Sequence, residues 1–204
     1  MLDKTALHAS LDTLAAHDPI IAALLDRLGY PPPRLRERGY VTLFRTIVGQ
    51  QVSVAAAAAV WARLETALGT GCPPEALLAS DADALRACGL SRQKQGYARS
   101  LAELVTSGEI DFHKLPEDDE EAIALLTRIK GIGRWSAEIY LLFAEARNDI
   151  WPAGDLAIQI AVGQIVGLPE RPSERETRAI AEAWRPHRGA MALMAWHHYN
   201  TKVL

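Results

Sequence analysis

The chain has 204 residues, of which 49% are hydrophobic, and its formal net charge at pH 7 is −3. This length and composition allow a proper core, in one compact unit or in two small lobes. Cys72 and Cys88 indicate a reducing compartment and exclude a disulfide framework or a zinc centre. The acidic balance disfavours a nucleic-acid-binding protein unless its positive charges are concentrated on one face.

The sequence shows no targeting or membrane-spanning pattern. Residues 1–10 include an acidic side chain and lack the apolar run of a signal peptide. None of the later apolar stretches reaches transmembrane length. We therefore expect a cytoplasmic protein that does not associate with membranes.

Helical periodicity dominates the sequence. Alanine and leucine are abundant and alternating β-branched runs are scarce, so we expect an all-α fold of about nine to eleven helices. An amphipathic helix over 11–28 is ended by Gly29 and the prolines that follow it. Stops rich in glycine and proline separate the later predicted helices, at about 40–50, 53–69, 74–79, 81–88, 91–107, 118–129, 134–146, 155–167, 173–184 and 188–200.

A tight turn between two of these helices is the most informative motif. Gly131 and Gly133 bracket Ile132, and apolar helical patterns lie on both sides. Glycines permit positive φ and close approach of another backbone, while the N–H groups that open a helix attract phosphate. The motif predicts a DNA-backbone site formed by Lys130, Gly131, Ile132, Gly133, Arg134, Ser136 and Ala137. An ordinary interhelical turn with glycine C-caps is the alternative.

The segment 129–137 resembles the helix-hairpin-helix of the DNA glycosylase superfamily that pairs this hairpin with a Gly/Pro-rich loop and an aspartate. Within that superfamily, the resemblance is closest to the type II 3-methyladenine DNA glycosylases. It also takes in residues 44–55, 89–94 and 185–196, in the same order as in the family. Four motifs in order make this a stronger signal than any one of them.

The resemblance implies one helical glycosylase unit over 1–204, built of two lobes with a cleft between them. The hairpin-bearing lobe would span about 35–145, and residues 1–34 with 146–204 would form the second lobe. The bacterial enzyme that typifies the family has an extra N-terminal β-rich domain, for which this chain has no room. Relatives of the endonuclease III type often carry an iron–sulfur cluster on four cysteines, which this sequence cannot supply.

By resemblance, Asp155 matches the catalytic aspartate of the family. A carboxylate at that place can stabilise the cationic sugar that forms as a base leaves, and can orient or deprotonate the attacking water. Its position after Gly154 at a helix start also predicts an N-cap, and the two roles are compatible. Relatives that also cut the DNA backbone carry a lysine just after the hairpin, where this chain has Trp135. The resemblance thus implies a monofunctional glycosylase.

Aromatic side chains are the candidates for holding a damaged base. An alkylated purine is cationic, so it leaves readily and is attracted to aromatic faces. By resemblance, Trp196 and Trp135 would stack on a base flipped out of the duplex. Phe44 and Tyr140 could complete the pocket wall. Packing in the core is the alternative for all four.

Two further segments are predicted to contact the distorted DNA. Gln50 and Gln51 are adjacent amides that cannot both face an apolar core without partners. The family match puts this pair near the flipped nucleotide or the gap it leaves. Leu90 or Arg92 would supply the wedge that fills the vacated stack, with a plain surface turn as the alternative.

The distribution of charge answers the objection raised by the net charge. Acidic residues cluster at 117–121, while basic residues group at 92–99 and at 130–134. We expect a basic face that includes Arg92 and Lys94, and DNA binding that weakens markedly as salt rises.

No cofactor or metal is expected. Three histidines, His187, His197 and His198, lie close in sequence, but adjacent histidines point to different sides of a helix and no carboxylate stands at a ligand spacing. By resemblance, the hairpin could hold a monovalent cation through backbone carbonyls.

The resemblance implies a monomeric enzyme that hydrolyses the N-glycosidic bond of 3-methyladenine and 7-methylguanine in double-stranded DNA. Three alternatives remain open: the same fold with another lesion range such as etheno adducts, a non-catalytic DNA-damage-binding protein, and a helical protein-interaction module. Salt-sensitive DNA binding separates the last from the others. Base release separates an enzyme from a binding protein.

Overall fold

A computed structural model describes residues 2–203, and within this range every regular element is helical, with no strand. The predicted all-α fold is therefore confirmed. The helices are α1 (Lys4–His17), α2 (Pro19–Leu28), α3 (Tyr40–Gly49), α4 (Val54–Leu68), α5 (Pro74–Ala79), α6 (Ala82–Ala87), α7 (Arg92–Thr106), α8 (Asp119–Leu126), α9 (Arg134–Phe143), α10 (Leu156–Ile165), α11 (Glu174–Ala181) and α12 (Arg188–Val203). A short 3-10 helix over Glu182–Trp184 follows α11.

The prediction of one helix over 11–28 is wrong, because the segment forms two helices. The first begins at Lys4, where the Asp3 carboxylate accepts a hydrogen bond from the Ala6 N–H at 2.9 Å. The second begins at Pro19, and Asp18 caps it by accepting from the Ile20 N–H at 2.8 Å. An aspartate followed by proline is a strong helix start. The apolar periodicity continues across this start, which concealed the break.

Other helix boundaries differ from the prediction by a few residues. The predicted helix over 134–146 ends at Phe143, and Ala146 has a positive φ of 52°, which a continuing helix does not allow. The predicted helix over 118–129 ends at Leu126. Thr127 closes it as the C-cap, so the turn that follows is longer than the two glycines alone indicated.

The chain divides into two compact units: unit 1 consists of Met1–Arg36 with Glu138–Leu204, and unit 2 of Glu37–Ala137. The second boundary falls inside α9, whereas the expected lobe boundary lay near residue 145. The later part of α9 belongs to unit 1 because its side chains are buried there. Glu138 is 1% exposed and pairs with Arg178, and the Phe143 ring packs on Trp196.

In unit 1, α12 is the central helix. It packs on α1, α2 and α10, and residues 190–195 are all buried. Its start requires Gly189, since a Cβ there would lie 2.7 Å from the backbone oxygen of Asn148, to which the Gly189 N–H donates. This close approach fixes α12 against the loop that precedes the predicted catalytic segment.

In unit 2, α7 lies against α3, α5 and α6. The core includes Phe44 of α3 and Trp61 of α4, whose rings meet edge to face at 5.4 Å. Helix α7 also contacts the end of α3 and the glycine turn (residues 130–133). No helix within residues 2–203 combines the length and the apolar character needed to span a membrane.

Candidate active site and phosphate-binding turn

Asp155 is the half-buried N-cap of α10 in unit 1. Its Oδ1 accepts a hydrogen bond from the Ile158 N–H at 3.1 Å, which is the capping contact that the sequence predicted. The same oxygen accepts from the indole N–H of Trp196, also at 3.1 Å. Two donors from different helices therefore fix the position of the carboxylate.

Trp196 is a mostly buried side chain beside this carboxylate. Its ring is 8% exposed and packs on Phe143, with ring centroids 5.6 Å apart. The guanidinium of Arg34 lies 5.8 Å from the ring centroid. Because little of the side chain is exposed, the main contribution of Trp196 to the site is the hydrogen bond from its N–H group to Asp155.

Two of the predicted pocket residues lie in the core. Phe44 is fully buried between Tyr40 and Trp61 in unit 2. Tyr140 is 3% exposed in unit 1, and its hydroxyl donates to the Glu145 carboxylate at 3.2 Å. Neither ring presents a face to solvent. Both side chains therefore pack in the core, which was the alternative to a place in the pocket wall.

Trp135 differs from these core aromatics because it is 45% exposed in the first turn of α9. Nearly half of this side chain is therefore exposed to solvent directly beside the glycine turn. Among the four aromatic residues predicted to line the pocket, Trp135 has the largest exposed fraction. This position fits a role in stacking better than it fits core packing.

The glycine turn is a rigid connection between α8 and α9 in unit 2. Ile129 and Ile132 are buried, and the Ile132 N–H donates to the Ile129 oxygen at 3.0 Å. The Lys130 N–H donates to the hydroxyl of Ser100 on α7 at 3.1 Å. Since the Ile132 and Ala137 side chains are buried, these two predicted DNA contacts can act only through the backbone.

The two glycines of the turn have different surroundings. Gly131 has a φ of 81°, and a Cβ there would lie 2.2 Å from the ring of Tyr97 on α7. Gly133 has no heavy atom within 4 Å of its Cβ position. Gly131 is therefore required by the protein's own packing, whereas the space beside Gly133 is open to a ligand.

Gln50 connects the end of α3 to the glycine turn. Its amide Nε2 donates to the Gly131 oxygen at 2.9 Å. Gln51 follows with a left-handed φ of 55° and an exposed side chain. The two adjacent amides thus have separate roles: the first holds the turn and the second projects from the loop before α4.

The predicted basic segment over 92–99 is largely directed into the protein. The Lys94 ammonium donates to the Val48 oxygen at 2.7 Å, and burial lowers the pKa of Lys94. The Arg99 guanidinium donates to the Leu78 oxygen at 3.1 Å. Arg92 keeps an exposed side chain. The Lys94 ammonium thus caps the carboxyl end of α3, as cations often do, and its role as a DNA contact stays a prediction.

Leu90 does not have the exposure that a wedge requires. It is 1% exposed and packed in the core of unit 2. Of the two wedge candidates, only Arg92 is on the surface. The apolar character that suggested Leu90 is explained by its place in the core.

Helix α7 supports both loops, a role that was not predicted from the sequence. Lys94, Tyr97 and Ser100 are spaced three residues apart and touch the end of α3 or the glycine turn. Spacing of three places side chains on one face of a helix, so this pattern was the available signal. The partners of that face, however, lie 30 or more residues away in the sequence.

Binding of a monovalent cation by the turn's carbonyl groups stays a prediction. Two of them, those of Ile129 and Gly131, each accept one hydrogen bond, and a carbonyl oxygen has two lone pairs. A cation bound there would add positive charge next to the open space at Gly133. Within residues 2–203, no group of three histidine, cysteine or acidic side chains forms a metal site.

His197 and His198, two of the three histidines considered as metal ligands, have polar partners in unit 1. The ring nitrogens of His198 lie 3.2 Å from the Arg27 guanidinium and 3.1 Å from the Gln164 amide oxygen. The Nε2 of His197 lies 3.0 Å from the Leu28 oxygen. His198 also lines a groove of about 490 Å³ between α2 and α10, which contains none of the predicted site residues.

Arg134 does not carry an uncompensated charge, since its guanidinium forms two hydrogen bonds with the Glu120 carboxylate, one of them 2.8 Å long. The pair is partly exposed, at 39% for Arg134 and 68% for Glu120. Exposed pairs of this kind contribute little to stability. A phosphate can therefore replace Glu120 as the partner of Arg134.

We expect Glu120→Gln to raise DNA affinity about threefold at low salt and to steepen the salt dependence by up to about one phosphate contact, because the Glu120 carboxylate then no longer offsets the charge of Arg134. Duplex binding measured by fluorescence anisotropy over a range of salt concentrations checks this. The matched control is Asp83→Asn, which removes the acid of another exposed pair, Asp83 with Arg86. Equal behaviour of the two variants would show that Arg134 does not contact DNA.

Comparison with known proteins gives a consistent result. The family model described as "HhH-GPD superfamily base excision DNA repair protein" matches residues 44–186. DNA-3-methyladenine glycosylase 1 of Schizosaccharomyces pombe is 35% identical over 173 residues, covering 82% of this chain and 76% of that protein. DNA-3-methyladenine glycosylase 2 of Escherichia coli is 30% identical over 198 residues, covering 90% of this chain and 67% of that protein.

Solved structures agree with the sequence comparisons. The Schizosaccharomyces pombe 3-methyladenine DNA glycosylase, in a complex with abasic DNA, matches with a TM-score of 0.77 and 33% identity, covering 96% of this chain and 97% of that one. A DNA-3-methyladenine glycosidase from Bacillus halodurans matches with a TM-score of 0.88 and 30% identity, covering 95% and 90%. The chain belongs to the HhH-GPD superfamily of base excision DNA repair proteins.

Proposed function

We propose that the protein is a monofunctional DNA glycosylase that acts as a monomer and releases alkylated purines, such as 3-methyladenine and 7-methylguanine, from duplex DNA. The observation that carries this is the Asp155 carboxylate, fixed by the Ile158 N–H and the Trp196 N–H at the start of α10. The relatives that are named as 3-methyladenine glycosylases support the substrate class.

The reaction breaks the bond between the sugar carbon and the purine nitrogen. A cationic alkylpurine leaves as a neutral base with the electron pair of that bond, so no acid is required. The sugar becomes cationic, and a carboxylate such as Asp155 stabilises this charge. Water then attacks the sugar carbon, and Asp155 accepts the proton that the water loses. The product is free base and an abasic site.

The glycine turn supplies the DNA anchor in this proposal. The start of α9 offers backbone N–H groups, and the open space at Gly133 lets a phosphate come close to them. Lys130 is exposed beside the turn and adds positive charge. These contacts hold the DNA in place without reading its sequence.

Exposed side chains of unit 2 support base flipping. Gln51 projects from its loop with an exposed amide, which suits it to fill the gap left by a flipped nucleotide. Trp135 is 45% exposed, and an aromatic side chain at this place suits a cationic base. Because Trp135 replaces the lysine of lyase relatives, the position has no amine that could form a Schiff base.

The test is release of free base from methylated duplex DNA under single-turnover conditions. We expect release of 3-methyladenine and 7-methylguanine, and strand breaks only after the abasic product is treated with alkali. Strand cleavage without alkali would contradict a monofunctional enzyme. Release of etheno adducts alone would change the substrate class, and tight binding without any release would indicate a damage-binding protein.

A further inference from the structure

The loop that presents Asp155 is held from inside the protein by a buried amide. We propose that Gln159 is a positioning residue for Asp155, an inference that rests on the proposed function. Gln159 lies one turn further along α10, and its Nε2 donates to the Ala153 oxygen at 2.8 Å. The side chain is 9% exposed, so water does not compete freely for this contact.

The chemical type of Gln159 is unusual for its place. Helix α10 is mostly apolar, and Gln159 lies among the buried residues Ile158, Ala161 and Val162. A buried amide is unfavourable unless it is hydrogen-bonded. An apolar side chain would fill this position without that requirement. The specific contribution of the amide is therefore its bond to the loop.

The loop is short, so its backbone controls the carboxylate directly. Ala153 precedes Asp155 by two residues, its N–H donates to the Trp151 oxygen at 2.9 Å, and the Asp155 N–H donates to the Pro152 oxygen at 3.0 Å. Gln159 adds a side-chain tie to this turn. The backbone before the carboxylate is thus held by Gln159, and the carboxylate itself by Trp196.

A second side chain reaches the same loop but is less suitable for an experiment. Arg178 donates to the Trp151 oxygen at 3.4 Å and to the Glu138 carboxylate at 3.1 Å. Glu138 is 1% exposed. Removing Arg178 would take a cation away from a buried carboxylate and would destabilise unit 1. Gln159 is neutral, and its replacement has no such consequence.

We expect Gln159→Leu to slow single-turnover base release about 10- to 100-fold, because a reacting group displaced by a fraction of an ångström loses much of its effect. The affinity for a duplex that contains an abasic site should change less than twofold. A merely structural role would move binding and rate together. The assay is run well below the melting temperature of each variant.

The matched control is Gln164→Leu, the same change at an exposed position of the same helix, where the amide contacts the His198 ring and not the loop before Asp155. We expect it to release base at the rate of the parent protein. If Gln159→Leu behaves like this control, the inference is wrong while the proposed function stands. If Gln159→Leu melts below the assay temperature, Gln159→Met, which is flexible and of similar length, replaces it.

A second comparison separates the positioning of Asp155 from a general disturbance of the protein's structure. In an Asp155→Asn background, Gln159→Leu should have no further effect on the rate, since the group that it positions is already lost. An equal slowing in both backgrounds would overturn the inference. A parent protein that releases no base would instead contradict the proposed function itself.

Discussion

Replacement of Asp155 by asparagine is expected to lower single-turnover base release by about 100-fold or more without unfolding the protein. The Asp155→Asn protein would keep the cap of α10, because asparagine caps helices as well as aspartate does. The amide oxygen of the new side chain can accept hydrogen bonds from the same two N–H groups that donate to the carboxylate. The variant would lose the negative charge that stabilises a cationic sugar, and charge stabilisation of this kind is a large term in catalysis.

The measurement is release of 3-methyladenine and 7-methylguanine from methylated duplex DNA, together with thermal unfolding and DNA binding. Asp155→Ala is the matched control. It removes charge and cap together, so we expect the same loss of activity and an additional loss of about 1 kcal/mol in the free energy of unfolding. Equal release by the parent and the Asp155→Asn protein would show that another residue carries the reaction.

The role of Asp155 as a helix cap was predictable from its neighbours in the sequence, whereas the contacts that hold it were not. The capping bond to Ile158 joins residues three apart. Trp196 donates to the same carboxylate from 41 residues away, and no local pattern indicates which atom of a tryptophan will meet a carboxylate. Sequence reasoning therefore found the catalytic candidate and assigned Trp196 a stacking role in which its N–H group played no part.

The expected basic face shows a second limit of sequence reasoning. The segment 92–99 does contain three basic residues, but their number does not determine where their side chains point. Lys94 and Arg99 donate to backbone oxygens of α3 and of the end of α5 and its C-cap. Long cationic side chains can serve as helix caps or reach phosphate, and only the packing of α7 decides between these uses.

The helices themselves were largely predictable because their start and stop signals are local. The N-cap Ser91 of α7 and the N-cap Ser173 of α11 both follow the usual rule. The break at Pro19 also has a local signal, the Asp18-Pro19 pair, but the apolar periodicity runs across it and favours a single helix. The division into two units depends on contacts between distant segments, and periodicity carries no information about these.

The two glycines of the turn are expected to respond differently to the same substitution. Gly131→Ala places a methyl group 2.2 Å from the Tyr97 ring, at a φ of 81° that side chains other than glycine rarely adopt. The backbone strain alone costs about 1–2 kcal/mol, and the clash adds to it. We expect a clear loss of thermal stability, together with loss of DNA binding because the turn must move.

Gly133→Ala should leave the fold intact, because no atom lies within 4 Å of the new methyl group. The cost in stability is limited to the poorer capping by alanine, about 1 kcal/mol or less. DNA affinity should nevertheless fall about tenfold or more, since the methyl group occupies the space through which a phosphate reaches the backbone N–H groups. Thermal unfolding and fluorescence anisotropy with an abasic duplex measure both quantities.

Two controls make the comparison decisive. Gly96→Ala adds a methyl group at an exposed position of α7 with no atom nearby, so it should raise stability slightly and leave DNA binding unchanged. Gly131→Ala should cost less stability in a Tyr97→Ala background than in the parent protein, because the clashing ring atoms, from Cγ outward, are then absent. Unchanged DNA affinity in Gly133→Ala would show that the turn does not bind phosphate, and the anchoring role would then have to be assigned to another part of unit 2.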